Sequence, residues 1–255
     1  MTANDLIAAL DLPPDSLVDR RIAKTLLVEH GAPTAADKRR ITDGIDACRW
    51  VATLKPSTIA VSGYRDAMRA YGEINVLAVS LRPGAGSERL LELLHRAVPY
   101  PLVLVHEGNS VGLSVGLSLA HVRQSQVEAG KTVLDGNLVA TATDVLPVDA
   151  RWQAFRDAMA LRKQPRSNLY ALYQGWIDTV LALHAASVTG TFTVAEGTAR
   201  LVARREGLRT HVALSDDIAR LRAAADKETQ LARRVDLNLE LKRAEMQLAL
   251  VKNTL

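Results

Sequence analysis

Among its 255 residues the chain has a single cysteine, Cys48. One thiol can close no internal disulfide and build no thiolate zinc centre. Aromatic residues make up only 4% of the sequence, so the core has to be assembled from Val, Leu, Ile and Ala. No apolar run approaches the ~18 residues that a membrane-spanning helix needs. The polar start around Asn4 and Asp5 lacks the basic-then-apolar pattern of a secretory signal. These shortages lead us to expect a cytoplasmic protein without membrane contact. From Leu208 to Leu255 there is no Gly, Pro, Phe, Tyr or Trp. That stretch therefore lacks the residues that punctuate helices and the rings that stack on single-stranded bases.

The apolar fraction, 48%, is ordinary, and the length suffices for one large or two small domains. Net charge is +4 and uneven. Residues 1–147 hold 15 Lys and Arg against 16 Asp and Glu, and residues 148–255 hold 17 against 12. The basic part is thus the C-terminal part. Arginine outnumbers lysine, 24 to 8. Arginine suits bidentate phosphate contacts, but a GC-rich genome produces the same bias, and we weight that explanation more.

Asn4 to Leu10 predicts a short amphipathic helix closed by Pro13-Pro14, and Val18 to Glu29 reads equally as helix or strand. Thr34 predicts an N-cap for a helix with apolar Ile41, Ile45, Cys48 and Ala52, where Cys48 serves as a small buried hydrophobe. Thr58–Gly63 and Ile74–Leu81 are β-branched runs of strand length. A turn at Pro83-Gly84-Ala85-Gly86 precedes a helix opened by Ser87. Leu102–Val105 and Val111–Leu119 predict a hairpin about His106-Glu107-Gly108-Asn109. Its second arm alternates: Val111, Leu113, Val115, Leu117 and Leu119 on one face, and a bare row of Gly112, Ser114, Gly116 and Ser118 on the other. That bare face allows a helix, another backbone or a ligand to come close. Thr132–Asp144 predicts a further strand or two. After Pro147 the pattern is helical: Asp149–Leu161, Ser167–Ala186 and Ala195–Glu206.

The last stretch predicts one long helix, with Ser215 as N-cap and Asp216 and Asp217 in its first turn. At 1.5 Å per residue it would span roughly 60 Å. One apolar seam runs through Leu214, Ile218, Leu221, Ala225, Ala232, Val235 and Leu239, interrupted by Glu228. A second, offset seam runs through Leu237, Leu241, Ala244, Leu248, Val251 and Leu255. Such a helix cannot bury its apolar side alone, so it implies a partner, either another part of this chain or another protein, and Leu237, Leu241, Leu248 and Val251 are the expected contact residues. The fold class is α+β: a mixed or antiparallel sheet of about five strands with flanking helices, then a helical extension and a long C-terminal helix. The boundaries are 1–147 for the α+β domain, 148–207 for the helical segment and 208–255 for the coiled-coil-like helix.

Catalytic signals are weak. Gly84-Ala85-Gly86 is followed by Ser87-Glu88-Arg89, which fits neither a Walker loop nor a dinucleotide fingerprint. A metal-dependent nuclease would draw on Asp66, Glu73 or Asp135, but no acidic-x-Lys follows in strand context. The six histidines are dispersed, with no metal-helix spacing. His121 and Arg123 leave the hairpin strand together and suit an anion at the sheet's end. No Gly-x-Ser-x-Gly elbow is present. Arg200, Arg204, Arg205 and Arg209 have near-helical spacing, although Gly207 interrupts them, and they suit phosphate contact. No cofactor is expected, and no catalytic or metal-ligating set emerges.

Several segments, in order, resemble one family. They are Arg20-Arg21-Ile22-Ala23-Lys24; Ile45-Asp46-Ala47-Cys48-Arg49-Trp50 with Leu54-Lys55-Pro56-Ser57-Thr58-Ile59; and Val98-Pro99-Tyr100-Pro101. Asn168-Leu169-Tyr170-Ala171-Leu172-Tyr173 follows, then Lys227-Glu228-Thr229-Gln230 and Val235-Asp236-Leu237-Asn238-Leu239-Glu240-Leu241-Lys242. This set resembles the bacterial "domain of unknown function 4391" family over almost the whole chain. The sequence departs from it after the hairpin, where an acidic pair is expected and Asp135-Gly136 stands. The resemblance implies no activity but suggests a setting beside helicase and DNA-methyltransferase genes in restriction or phage-defence islands. We therefore expect a non-catalytic accessory or adaptor subunit of a DNA-processing assembly, partnered by a helicase, a DNA methyltransferase or a second copy of itself. The alternatives are a direct nucleic-acid binder using the Arg-rich helices and an unrecognised metal-dependent nuclease.

Overall fold

The computed structural model describes residues 2–85, 88–110, 112–128, 131–141 and 150–255. It divides into two compact units, Met1–Val180 and Leu181–Leu255.

In the first unit a six-stranded sheet is ordered β1 (Leu17–Arg21), β2 (Ile45–Leu54), β5 (Ile74–Leu81), β6 (Leu102–Ser110), β7 (Gly112–Ala120), β10 (Val139–Ala140). Neighbours are antiparallel except β5 and β6, which run parallel. A parallel pair needs a crossover, and α5 (Glu88–Ala97) supplies it. Leu90, Leu91, Leu93, Leu94 and Ala97 of α5 are buried. They meet Leu77, Val79 and Leu81 of β5 and Leu102 and Leu104 of β6 in one core cluster, with Leu27, Ile41, Ile45 and Cys48. Each such aliphatic side chain contributes about 1.5–3 kcal/mol when fully buried. The alternate residues Val76, Val103 and Val105 are buried as well, so the sheet is covered on both faces, as parallel neighbours require.

Two short ribbons stand apart from the main sheet: β3 (Tyr64–Arg65) with β4 (Ala70–Tyr71), and β8 (Val122–Gln124) with β9 (Thr132–Leu134). The edge strand β1 is exposed throughout, and its Asp19-Arg20-Arg21 run places charge on an edge that would otherwise invite strand pairing.

Several local expectations change. The ambiguous Val18–Glu29 segment is a strand followed by α2 (Lys24–Gly31). The helix capped by Thr34, which accepts the Asp37 N–H at 3.1 Å, is α3 (Ala35–Gly44) and stops at Gly44. Ile45 onward is strand, so Cys48 lies in β2; its thiol is buried, and burial pushes its pKa up to about 12. Pairing with Leu81 through Ala78 recruits this segment to the sheet, a non-local demand that its apolar spacing cannot signal. The run expected as a strand at Thr58–Gly63 begins instead with a short helix, α4 (Pro56–Ile59), where Pro56 holds the first helical position. The hairpin strands run through His106 to Asn109 and stay paired as far as Ser110 with Gly112, beyond the four residues expected to make the turn. The capping role of Ser87 lies outside the described residues.

The remaining helices of this unit are α1 (Ala3–Ala9), α6 (Ala150–Met159) and the first half of α7 (Leu169–Thr189). Trp176 of α7 donates its indole N–H to the Met159 carbonyl at 2.8 Å, the partner that a fully buried indole requires.

The second unit contains α8 (Thr198–Lys227) and α9 (Leu231–Lys252). The terminal stretch read as one helix is therefore two. Ser215 sits mid-helix, its hydroxyl donating to the His211 carbonyl, and Gly207 does not interrupt α8. The chain turns at Glu228-Thr229-Gln230, where a Glu228 carboxylate oxygen accepts the Gln230 N–H at 2.9 Å. The helices run antiparallel, since Arg222 pairs with Glu245 at 2.6 Å and Gly207 lies by Leu255. On α8 the covered row is Arg204, Gly207, His211, Leu214, Ile218, Leu221 and Ala225, alternating three and four. On α9 it is Leu237, Leu241, Ala244, Leu248 and Val251, continued by Leu255 just past the helix end, all half-buried. This is coiled-coil spacing on both helices. Folding back buries two seams that a straight 60 Å helix would leave in water.

Candidate functional site

A cluster of polar and aromatic side chains forms in the first unit where β7 ends. Tyr71, on β4, is fully buried. Its hydroxyl accepts the Val122 N–H at 3.3 Å and lies 2.5 Å from His121 Nδ1. A hydroxyl that accepts there directs its own proton to Nδ1. The imidazole then carries its proton on Nε2, which faces Gln174 Oε1 at 2.9 Å, and Gln174 donates onward to Asp178 at 3.0 Å. Burial pushes the Tyr71 hydroxyl pKa well above the ordinary tyrosine value, so the phenol stays protonated. Tyr170 stacks against His121 on one side (4.8 Å between ring centres) and Tyr64 on another (4.9 Å). Tyr173 reaches up from α7 to donate to the Leu102 carbonyl and accept the Ala120 N–H.

Arg69 closes this cluster toward solvent. Its guanidinium lies 5.7 Å from the centre of the Tyr170 ring and pairs with Asp135 at 2.6 Å and Asp66 at 3.4 Å. The Asp66 carboxyl is held below its ordinary pKa by the backbone N–H groups of Met68 and Arg69. Two of the three carboxylates considered for a nuclease are thus brought together, but around a guanidinium that fills the space a metal ion would need. The third, Glu73, pairs with Lys55 at 3.4 Å and accepts from Asn75. Among the described residues no three His, Cys, Asp or Glu side chains converge as a metal-binding group.

His121 and Arg123, expected to share one anion, separate. His121 enters the aromatic cluster, while Arg123 lines a cleft of about 550 Å³ with His30, Arg96, Lys131 and Glu29. The bare row of β7 meets protein where its side chains are described. Ser118 lies 3.0 Å from His95 Nε2 on α5, and a Cβ at Gly116 would stand 2.4 Å from the His106 ring. His95 with Ser118 has the atoms of a nucleophile and base, but both are buried. Burial lowers the His95 pKa to about 3, so the pair is a neutral core contact.

The arginines expected to touch phosphate do not form one face. Arg204 is buried, donating to Thr193 and to the Leu255 carbonyl at 2.6–3.2 Å. Arg209 pairs with Glu206. Arg200 and Arg209 lie on opposite sides of α8, about 180° apart at 3.6 residues per turn. The four contact residues chosen on the terminal helix, Leu237, Leu241, Leu248 and Val251, face α8 within the same chain.

Residues 10–248 match the family model described as Domain of unknown function (DUF4391). The chain belongs to the DUF4391 family. Its match takes in both the aromatic cluster and most of the α8–α9 hairpin. No curated protein and no solved structure matches this DUF4391 chain. Sequence reasoning gave the tyrosines no shared site: the Tyr64–Tyr71 pair and the Tyr170–Tyr173 pair are about a hundred residues apart in the chain, and no spacing signals that they meet.

Proposed function

We propose that this DUF4391 protein is a non-catalytic interaction subunit whose α8–α9 hairpin carries the contact with its partner. The observation that carries the reading is the surface of α9. It holds five exposed large apolar side chains on a helix whose other side is already packed, and exposed apolar area of that kind marks interaction surfaces. The engaged state of the carboxylates around Arg69 supports the non-catalytic half of the reading. The partner class we propose, a DNA-processing enzyme such as a helicase or methyltransferase, rests on the family resemblance alone. The test is purification of the tagged chain from its host after nuclease treatment, beside a chain ending at Gly190 whose fold is checked by circular dichroism. A stoichiometric DNA-processing enzyme that the shortened chain loses fits the reading; one that the folded, shortened chain retains contradicts it.

A second reading, direct binding of nucleic acid, is favoured by the cleft lined by His30, Arg96, Arg123 and Lys131 rather than by the arginines of α8. It predicts binding that weakens steeply with salt and is lost in Arg96→Glu/Lys131→Glu. No binding at low salt removes it.

A further inference from the structure

The outer face of α9 carries an apolar stripe of its own, opposite the seam already packed on α8. Leu231, Val235, Leu239, Met246 and Leu250 are 68%, 49%, 50%, 62% and 67% exposed. With Lys242 they form one stripe within an arc of about 100°, diametrically opposite the seam that packs on α8. Their spacing is 4, 4, 3, 4, 4, which reads the same in both directions.

That symmetry has a geometric meaning. An antiparallel pair about a two-fold axis sets each position opposite its mirror position. Leu231 stands level with Leu250 of a second copy, Val235 with Met246 and Leu239 with Lys242. The lysine stem lies over leucine while its ammonium reaches water. A parallel, in-register pair would instead set Lys242 against Lys242. The flanks agree with the antiparallel arrangement. Asp236 and Arg243 lie on one side of the stripe, and Arg234 and Glu245 on the other. In an antiparallel pair each flank faces itself, so Asp236 comes within about 3 Å, along the axis, of Arg243 of the second copy. Arg234 comes equally near Glu245 of the second copy, a carboxylate that also pairs with Arg222 of its own α8. Asp236 and Arg243 make no ion pair within the chain among the described residues, so both remain available.

We propose that the outer stripe of α9 pairs antiparallel with α9 of a second copy, making a two-fold homodimer. The pairing rests on the reading of the hairpin as the interaction element and names one of its partners. Six side chains per copy are fewer than the ~20–30 residues a side of a standard stable interface, and Lys242 adds a polar interruption. The dimer therefore exchanges with monomer, and Lys242→Leu tightens it.

The test is sedimentation of the purified full chain over a range of concentrations. The mass should climb from one copy toward two. Leu239→Glu should weaken association at least tenfold and Lys242→Leu strengthen it at least tenfold, with circular dichroism unchanged. Orientation is read by oxidation: Val235→Cys mixed with Met246→Cys should give a disulfide-linked dimer that Val235→Cys alone does not. A wild-type chain that stays monomeric at every concentration overturns the proposal, as do masses indifferent to both substitutions or efficient crosslinking of Val235→Cys alone. The two readings fail separately. A pure monomer that nonetheless carries a stoichiometric DNA-processing enzyme from its host removes the pairing and leaves the subunit reading. A dimer that carries no other protein does the reverse.

Discussion

Gly31 shows how much a single residue constrains the first unit. A Cβ there would stand 2.6 Å from the Leu93 carbonyl oxygen and 2.8 Å from the Ala97 side chain. The obstacle is backbone on α5, so α2 and α5 would have to separate. Gly31→Ala should destabilise the protein by about 1–3 kcal/mol, read as a lowered denaturation midpoint; an unchanged midpoint contradicts the close approach. His95 makes a second residue-scale prediction. Its folded pKa is depressed to about 3 from an ordinary 6.5, so below that ordinary value the unfolded chain binds the proton that the native state refuses. Stability should be level above pH 6.5 and fall on acidification toward pH 3, by at most about 1.4 kcal/mol per pH unit from this group. His95→Gln, which cannot titrate, should fall less over that window, as denaturant titrations at several pH values would show. Parallel pH profiles would contradict it. Neither feature is legible in the sequence. In the sequence Gly31 is one residue of a Gly31-Ala32-Pro33 run that suggests only a chain break, and His95 is one of six scattered histidines, because both roles depend on residues more than 20 positions away.

At the scale of elements, legibility follows how local the cause is. Helices with their own caps and periodicity, such as α1 and α3, and the alternating arm of β7 could be read directly. β2 was hidden because Ile41, Ile45, Cys48 and Ala52 continue a helical rhythm across Gly44, and only pairing with β5 makes the second half strand. The break at Glu228–Gln230 was hidden for a related reason: without Gly or Pro, nothing local demands a turn. The two apolar seams of the terminal stretch were legible, and so was their offset. The structure explains the offset: the Leu237 seam packs on α8, while the Val235–Leu239 stripe faces out. If α8 and α9 hold each other, removing a contact deep in their seam should loosen both helices together. Leu221 is 7% exposed, and Leu221→Ala should cost about 2–4 kcal/mol locally. Hydrogen exchange should quicken across α8 and α9 and stay unchanged in β5 and β6. Loss of protection confined to α8 would contradict a mutually supporting pair.

At the scale of the whole molecule, the chain combines an α+β unit in which Tyr71, His121, Gln174 and the carboxylates beside Arg69 engage one another with a helical unit whose apolar surface is only half used. The aromatic cluster around Tyr71 was invisible in the sequence because its members come from four separate segments. The tail, by contrast, announced an unmet need for burial, and part of that need is met by its own neighbour α8. The central claim is that what remains uncovered on the hairpin is where this protein works. Hydrogen–deuterium exchange of the full chain, alone and within the complex isolated from its host, tests it most directly. The account predicts new protection on the outer positions of α8 and α9, with the cleft around Arg96 and Arg123 unaltered. Protection appearing at that cleft and at the Tyr64–Arg69 ribbon, with α9 exchanging as before, would contradict it.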